Sequence, residues 1–277
     1  KDIFVRNTLV DMYAKCGLVL DAQKSFNELP SHDVVSWNAL ISGYAEHGPF
    51  EEALKCFDHM ELCDVIHDAT TFVSTLKACA NLGNIDKGHE MHQKIKQKGF
   101  EKNLFVGSTL VDMYAKCASL IEAEKAFKEL ISHDVMSWNA LVAGYAEHGI
   151  SHSVIIQCLG EMLAEGINPN GVTYACFLKS CATQRDIIKG RDLHKEVSQK
   201  GLGDDPFVGS ALVDMYTRCG LLIEARNVFD KLPDRDVASW NALIAGCVEC
   251  GFDQEALDLY RKMQIGGLSP DDVTFVC

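Results

Sequence analysis

Residues 33–48 read DVVSWNALISGYAEHG, and nearly the same stretch returns at residues 134–149 as DVMSWNALVAGYAEHG and at residues 236–251 as DVASWNALIAGCVECG. The copies start 101 and 102 residues apart. Self-similarity at a fixed period indicates a repeat architecture, in which one supersecondary unit is stacked many times. The recurrence of this stretch predicts a protein built from repeats.

Two further segments recur with the same long period. TLVDMYAKCG at residues 8–17 returns as TLVDMYAKCA at 109–118 and as ALVDMYTRCG at 211–220. DATTFVSTLKACA at residues 68–80 returns as NGVTYACFLKSCA at 170–182. The long period therefore contains three unlike repeats. The complete repeats are 3–33, 34–68, 69–103, 104–134, 135–170, 171–205, 206–236 and 237–271, and residues 272–277 begin another.

Apolar residues within a repeat follow helical spacing. In the repeat 34–68 they are Leu40, Ile41, Tyr44 and Ala45, then Ala53, Leu54, Phe57 and Met60. This pattern predicts two short amphipathic helices, and no segment alternates with a period of two. A hairpin of two short helices cannot bury both apolar faces alone, so neighbouring repeats must stack around a continuous core. We expect one all-α solenoid of tandem helix-turn-helix repeats over residues 1–277, with a concave groove lined by first helices.

Composition supports a folded chain without a membrane anchor. The 277 residues are 47% hydrophobic, and no run of about 18 apolar residues or secretory signal is present. Residues 1–11 and 272–277 each contain only a part of a pattern that recurs elsewhere in the chain. We therefore expect the chain to be a piece of a longer array that lacks any targeting segment.

The chain has twelve cysteines, most of them inside helix-period segments. Cys16, Cys117 and Cys219 occupy one equivalent position, Cys79 and Cys181 another, and Cys56 and Cys158 a third. A small secreted protein would use such a number for disulfides. Recurrence at helical positions instead predicts small, reduced, buried packing residues and a reducing compartment.

The alternation of 31-, 35- and 35-residue repeats resembles the S, P and L repeats of plant pentatricopeptide repeat proteins of the PLS type. The S signature is FVRNTLVDMYAKCG at residues 4–17, the P signature is residues 33–48, and the L signature begins at Thr71 with TFVSTLKACA. Repeats 3–33, 104–134 and 206–236 are then S, repeats 34–68, 135–170 and 237–271 are P, and repeats 69–103, 171–205 and the partial 272–277 are L. The resemblance implies a right-handed superhelix that binds single-stranded RNA in an organelle, mostly to direct C-to-U editing.

The resemblance also implies that each repeat reads one base with its fifth and last residues. The pairs are Asn7 with Asp33, Asn38 with Asp68, Val73 with Asn103, Ser108 with Asp134, Asn139 with Asn170, Ala175 with Asp205, Ser210 with Asp236, and Asn241 with Asp271. The alternative is that the fifth residues are neutral helix-surface positions that recur through shared ancestry.

Hydrogen-bond chemistry gives these pairs a predicted target. Uracil and guanine carry a ring N–H that a carboxylate accepts, whereas cytosine and adenine present a ring acceptor to which an amide donates. Asn at the fifth position leaves room for a pyrimidine, and the shorter Ser leaves room for a purine. Val73 and Ala175 in the L repeats cannot hydrogen-bond a base. The predicted target is 5′-UUnGCnGU-3′.

The second residue of each repeat resembles the apolar clamp that holds each base in this family. These residues are Phe4, Val35, Thr70, Phe105, Met136, Val172, Phe207, Ala238 and Val273. The alternative reading is ordinary packing between helices.

A net charge of −13 argues against a binder that relies on phosphate neutralisation. The thirteenth residue is basic in the S repeats but Glu46, Glu147 or Glu249 in the P repeats. Lys15, Lys116 and Arg218 are the predicted phosphate contacts, with solvated helix ends as the alternative. Affinity should then depend on base contacts more than on charge.

One signal suggests an enzyme. Zinc deaminases combine H-x-E with a distant P-C-x-x-C, and this chain has His194-Lys195-Glu196 and a CxxC at residues 247–250. His194 is the repeat counterpart of His92, however, and no proline precedes Cys247. We expect no catalysis, metal or cofactor here. A deaminase would lie in a C-terminal extension or a partner.

The sequence thus predicts an RNA-reading module without catalytic activity. A protein-binding helical scaffold, in which L repeats dock partner proteins, remains the alternative. The resemblance allows both, because the family recruits small organellar editing cofactors through L repeats. It also implies a location in the mitochondrion or chloroplast.

Overall fold

The computed structural model describes residues 3–276, and within that range the backbone forms 17 α-helices and no strand. The predicted all-α class and the tandem helical repeats are therefore confirmed. Residue 277, which belongs to the partial L repeat, lies outside the described residues.

Each complete repeat contributes two consecutive helices, and the first of them starts at the first residue of the repeat. The helices are α1 (Ile3–Lys15), α2 (Val19–Asn27), α3 (Val34–His47), α4 (Phe50–Leu62), α5 (Ala69–Leu82), α6 (Ile85–Lys98), α7 (Leu104–Lys116), α8 (Leu120–Glu129), α9 (Val135–Glu147), α10 (His152–Ala164), α11 (Gly171–Gln184), α12 (Ile187–Gln199), α13 (Pro206–Arg218), α14 (Leu222–Lys231), α15 (Val237–Glu249), α16 (Asp253–Ile265) and α17 (Asp272–Val276).

The turn inside most hairpins requires a left-handed backbone conformation. Gly17 and Gly220 have φ angles of 73° and 75°, which glycine adopts without steric cost. Ala118 holds the same position in the repeat 104–134 with a φ of 58°. The sequence change from Gly to Ala therefore leaves the hairpin turn intact.

The chain divides into two compact halves, Lys1–Gly144 and Tyr145–Cys277. In the N-terminal half, the first helices α1, α3, α5 and α7 pack side by side in chain order, and each second helix packs on the first helix of its own repeat. In the C-terminal half, α11, α13 and α15 make the same succession. Buried aromatic side chains fill both layers, including Trp37 and Phe57 in one half and Phe177 and Trp240 in the other.

Neighbouring first helices approach closely where a P repeat carries glycine at its tenth position. A Cβ atom added to Gly43 would lie 2.7 Å from the Cβ of Ala14, and one added to Gly246 would lie 2.5 Å from Cγ2 of Thr217. Such separations are shorter than van der Waals contact. These glycines therefore set the spacing between the first helices of adjacent repeats.

The cysteines of the described chain are free thiols. Cys56, Cys79, Cys158 and Cys181 are buried as predicted. Burial raises the pKa of the Cys56, Cys79 and Cys181 thiols to about 12, which keeps them protonated and unreactive.

The prediction of burial is wrong for Cys16, which is exposed, and holds only in part for Cys117 and Cys219, which are half-buried. Cys117 Sγ lies 3.9 Å from the carbonyl oxygen of Cys79 in the preceding repeat.

Among the helices of the described residues, none combines the length and the hydropathy that a membrane crossing needs.

Substitution of Gly43 by alanine should destabilise the protein, although alanine is the better helix former. The new methyl group would overlap Ala14, and overpacking of this kind costs about 1–3 kcal/mol. Urea unfolding of the variant measures the loss.

Gly160 provides the matched control. It lies in the interior of α10, is exposed, and has no neighbouring atom within 4 Å of an added Cβ. Gly160→Ala should stabilise the protein by about 0.5–1 kcal/mol. A stabilising Gly43→Ala would contradict the close approach of α1 and α3.

Candidate functional site

The fifth and last residues meet in the structure in the three S repeats and in the P repeats 34–68 and 237–271. The amide nitrogen of Asn38 donates to the two carboxylate oxygens of Asp68 at 2.9 and 3.0 Å. Asn7 donates to both oxygens of Asp33 at 3.1 Å. The same contact joins Ser108 to Asp134 at 3.4 Å, Ser210 to Asp236 at 3.1 Å, and Asn241 to Asp271 at 2.8 Å.

The fifth residues are not open surface positions. Asn7, Asn38, Ser108, Asn139 and Asn241 are each less than a tenth exposed. Buried polar side chains need hydrogen-bond partners, and the last residue of the repeat supplies one to four of these five, Asn7, Asn38, Ser108 and Asn241. The alternative of neutral surface positions does not fit this burial.

The last residue of each repeat also caps the next helix. Asp33 accepts from the backbone N–H of Ser36 at 2.9 Å, and Asp68 accepts from that of Thr71 at 2.9 Å. Asn170 accepts from Thr173 N–H at 3.0 Å. Asp and Asn are among the best N-capping residues, so the structure gives them a folding role that the base-reading hypothesis did not include.

A sequence signal for this second role was present. The third residue of every P and L repeat is Ser or Thr, three positions after the Asp or Asn that ends the preceding repeat. These residues are Ser36, Thr71, Ser137, Thr173, Ser239 and Thr274. A capping residue followed at this distance by a hydrogen-bonding side chain is the capping-box pattern.

The L repeats lack the contact between the fifth and last residues. Val73 and Ala175 have no side-chain donor, and Asn103 and Asp205 cap α7 and α13 instead. Asn139 is buried in the N-terminal half, and Asn170 caps α11 in the C-terminal half.

The second residues of the repeats are exposed. Phe4 and Phe105 each expose 73% of their surface and Phe207 exposes 64%. Val35, Thr70, Met136, Val172, Ala238 and Val273 are exposed as well. Packing between helices does not account for apolar side chains that are exposed to this extent.

An open groove of about 680 Å³ lies along α1 and α3 and ends at Asp68 and Thr70, at the start of α5. The paired residues of the first two repeats line it together with Phe4 and Val35, and Asp11, Lys15 and Glu46 lie along it. Hydrogen-bonding pairs and exposed apolar side chains therefore share one surface.

The three cations predicted to contact phosphate are already engaged in ion pairs. Each lies four residues after an aspartate on the same helix: Lys15 contacts Asp11 at 2.7 Å, Lys116 contacts Asp112 at 2.9 Å, and Arg218 contacts Asp214 at 2.8 Å. Asp11 raises the pKa of Lys15 through this hydrogen bond, and Asp214 does the same for Arg218. The i, i+4 spacing of each aspartate and its cation is a short-range signal in the sequence that indicates such ion pairs.

The carboxylate of Asp271 is held ionised by its neighbours. Hydrogen bonds from the backbone and side chain of Thr274, and then from Asn241, lower the pKa of Asp271. An ionised carboxylate only accepts hydrogen bonds. At neutral pH the end of this repeat therefore offers an acceptor.

Residues of the H-x-E and CxxC motifs pack inside the repeats. His194 Nδ1 lies 2.8 Å from the hydroxyl of Tyr216, and His92 makes the same contact with Tyr114 at 2.8 Å in the other half. Cys247 is buried. In the described part of the chain, no group of three or more His, Cys, Asp and Glu residues is placed to hold a metal ion.

Models of one repeat family match most of the chain. The PPR repeat model matches residues 4–34, 70–100, 108–135 and 210–237. The PPR repeat family model matches residues 32–81 and 235–277, and the pentatricopeptide repeat domain model matches residues 124–184.

Several plant proteins are similar over nearly the whole chain. A chloroplastic pentatricopeptide repeat-containing protein of Arabidopsis thaliana is 39% identical over 99% of this chain and 44% of its own length. A mitochondrial one from the same plant is 36% identical over 95% of this chain and 26% of its own length. The chain thus spans less than half the length of these relatives.

The fold matches solved structures as well. The pentatricopeptide repeat protein PPR10 in complex with an 18-nucleotide psaJ RNA element superposes with a TM-score of 0.77, at 20% identity, over 99% of this chain and 41% of that one. PPR10 from maize superposes with a TM-score of 0.70 over 99% of this chain and 40% of that one, also at 20% identity.

Replacement of Asp68 should separate capping from charge. Asp68→Ala removes the acceptor for Thr71 N–H and for Asn38, and should lower the free energy of unfolding by about 1 kcal/mol or more. Asp68→Asn keeps the cap, as Asn170 does for Thr173, and should remain near the wild-type value. Urea unfolding of both variants provides the measurement. Equal losses in the two would assign the effect to charge instead.

Proposed function

Because the chain belongs to the pentatricopeptide repeat family, we propose that it binds single-stranded RNA along its first helices, with one base to each repeat. The proposed target is 5′-UUnGCnGU-3′, read in the direction of the chain. The two n positions face the L repeats, whose fifth residues are Val73 and Ala175 and offer no hydrogen bond.

The observation that carries the proposal is the repeated pairing of the fifth and last residues beside an exposed apolar side chain. Asn38 and Asp68 are hydrogen-bonded to each other, and both line the groove that also holds Phe4 and Val35. A base has an apolar face and a hydrogen-bonding edge. Such a surface satisfies both needs at once.

The last residue selects the class of base in this proposal. The carboxylate of Asp68 accepts the ring N–H of uracil or guanine and repels the ring acceptor of cytosine or adenine. The fifth residue then selects by size, so that Asn38 favours uracil and Ser108 favours guanine.

A second part of the proposal concerns the type of repeat and the role of the whole protein. We propose that the repeats are of the PLS type and serve as the targeting module of an organellar C-to-U editing factor. The chain itself has no catalytic role in this proposal, and its L repeats dock small editing cofactor proteins. Relatives named as chloroplastic or mitochondrial support an organellar location.

The main test is competition between RNAs. A labelled RNA with the sequence UUAGCAGU should bind well at physiological salt, and changes at the six coded positions should weaken it more than changes at the two n positions. A scrambled RNA of the same composition that bound equally well would contradict the proposal and favour a protein-binding scaffold.

Asp68→Asn should change the preference at the second base from U to C. The substitution replaces an acceptor suited to the uracil N–H by an amide that donates to the cytosine ring nitrogen. The ratio of the two affinities should change by about tenfold, since one hydrogen-bonded discrimination is worth roughly 1–1.5 kcal/mol. An unchanged C-to-U ratio would reject base reading by Asp68, whatever happens to overall affinity.

Release of the paired cations should strengthen binding and make it more sensitive to salt. The triple variant Asp11→Asn, Asp112→Asn and Asp214→Asn leaves Lys15, Lys116 and Arg218 without their ion-pair partners. If each cation then contacts a phosphate, the slope of log K against log salt should steepen by roughly 2, at about 0.7 for each contact.

A variant with the same change in net charge serves as the control. Asp21, Glu52 and Asp258 form ion pairs on second helices, with Lys24, Lys55 and Arg261. Their replacement by Asn or Gln should leave the slope nearly unchanged. Equal slopes for the two triple variants would show that net charge alone acts and that the first-helix cations do not meet phosphate.

A further inference from the structure

Lysine stands at the ninth position of both complete L repeats, at Lys77 in α5 and Lys179 in α11. Lys179 is exposed, and every other residue from 173 to 182 is buried. From residue 71 to residue 80, Lys77 is exposed, Val73 is half-buried, and the rest are buried. The packed middle of each of these helices therefore exposes a cation.

The ninth position of a first helix lies on the groove surface. The groove along α1 and α3 is lined by the second, fifth, ninth and thirteenth residues of both repeats. These are Phe4, Asn7, Asp11 and Lys15 in α1, and Val35, Asn38, Ser42 and Glu46 in α3. Steps of three and four residues keep side chains on one face of a helix. Thr70, the second residue of the first L repeat, lines the same groove, so the face of α5 that carries Lys77 continues this surface.

An ion pair connects Lys77 with the groove. Its Nζ lies 3.7 Å from the carboxylate of Glu46, which lines the groove in the preceding repeat. Both side chains remain about half exposed, at 46% and 49%. Exposed ion pairs of this kind are weak, so Lys77 can exchange the carboxylate for a phosphate.

Lys179 is not engaged in this way. None of the ion pairs among the described residues includes it. The three cations of the S repeats differ, because each is bound to an aspartate one turn away on its own helix. On the first helices, the lysines of the L repeats are therefore the cations most available to a ligand.

We propose that Lys77 and Lys179 bind the RNA backbone, each at a phosphate beside the nucleotide that its L repeat faces. The inference rests on the proposed RNA binding and gives the L repeats a task in it. Val73 and Ala175 offer no hydrogen bond to a base, whereas an ammonium group binds phosphate as a point charge. Phosphate contacts position a nucleic acid and carry no sequence information. Each L repeat thus holds the strand in place across a base that it does not read.

The salt dependence of binding to UUAGCAGU tests this inference. The double variant Lys77→Gln, Lys179→Gln removes two phosphate contacts, so the slope of log K against log salt should become shallower by about 1.4, at about 0.7 for each contact with a single strand. Lys77→Arg with Lys179→Arg keeps both charges and should keep the slope. In both double variants, the affinity ratios between UUAGCAGU and its single-base variants should match those of the wild-type protein.

Lys98→Gln with Lys195→Gln is the matched control. These two lysines belong to the same two L repeats and are exposed, but they lie on the second helices α6 and α12. The control changes the net charge by the same amount, away from the residues that line the groove. It should leave the slope nearly unchanged.

Uncharged linkages in the RNA locate the contact. Methylphosphonates on both sides of the sixth nucleotide should weaken binding to the wild-type protein, and Lys179→Gln should remove most of that loss. The same linkages around the third nucleotide should lose most of their effect in Lys77→Gln. Each variant should leave the effect at the other nucleotide in place.

Three results would overturn the inference. They are a wild-type slope in the Lys77, Lys179 glutamine variant, an equal shift in the Lys98, Lys195 control, or methylphosphonate losses that persist undiminished in the variants. RNA that still binds selectively in these cases leaves the proposed function standing. Failure of UUAGCAGU to outcompete its scrambled form would instead remove both.

Discussion

Junctions between repeats depend on one hydrogen bond, from a backbone N–H in the first turn of a helix to the side-chain oxygen of the residue before it. Asp33, Asp68 and Asn170 all make this bond. A helix leaves its first N–H groups without partners, and the cap satisfies one while fixing where the helix begins. Asp33 and Asp68 also accept from the fifth residue of their own repeat, Asn7 and Asn38, so folding and the proposed base reading use the same carboxylate.

This shared use limits which residues the last position can hold. A residue that cannot cap would cost about 1 kcal/mol of stability, whatever it offered to a base. Asp and Asn both cap, and they differ in hydrogen-bond character. Exchange between the two therefore leaves the helix start intact while it changes what the groove presents.

The helical repeats were predictable because apolar spacing and the recurrence of whole segments are local properties of a sequence. The helices do begin where the recurrence places each repeat. The capping of α5 by Asp68 and the ion pair of Lys15 with Asp11 were also predictable, because each depends on two residues only three or four positions apart. The hydrogen bond from the Thr71 hydroxyl to the amide oxygen of Asn38 was not predictable. The two residues are far apart in the chain, and the bond depends on the rotamer of the threonine hydroxyl.

The ion pairs along the first helices bear on how fast a ligand could arrive. Long-range attraction of a polyanion requires unpaired positive charge, which raises association rates well above those of neutral partners. Lys15, Lys116 and Arg218 are each neutralised by an aspartate one turn away, within a chain of net charge −13. For the proposed RNA, encounters would thus be unsteered and brief at wrong sequences. Long residence would be confined to a strand whose bases match.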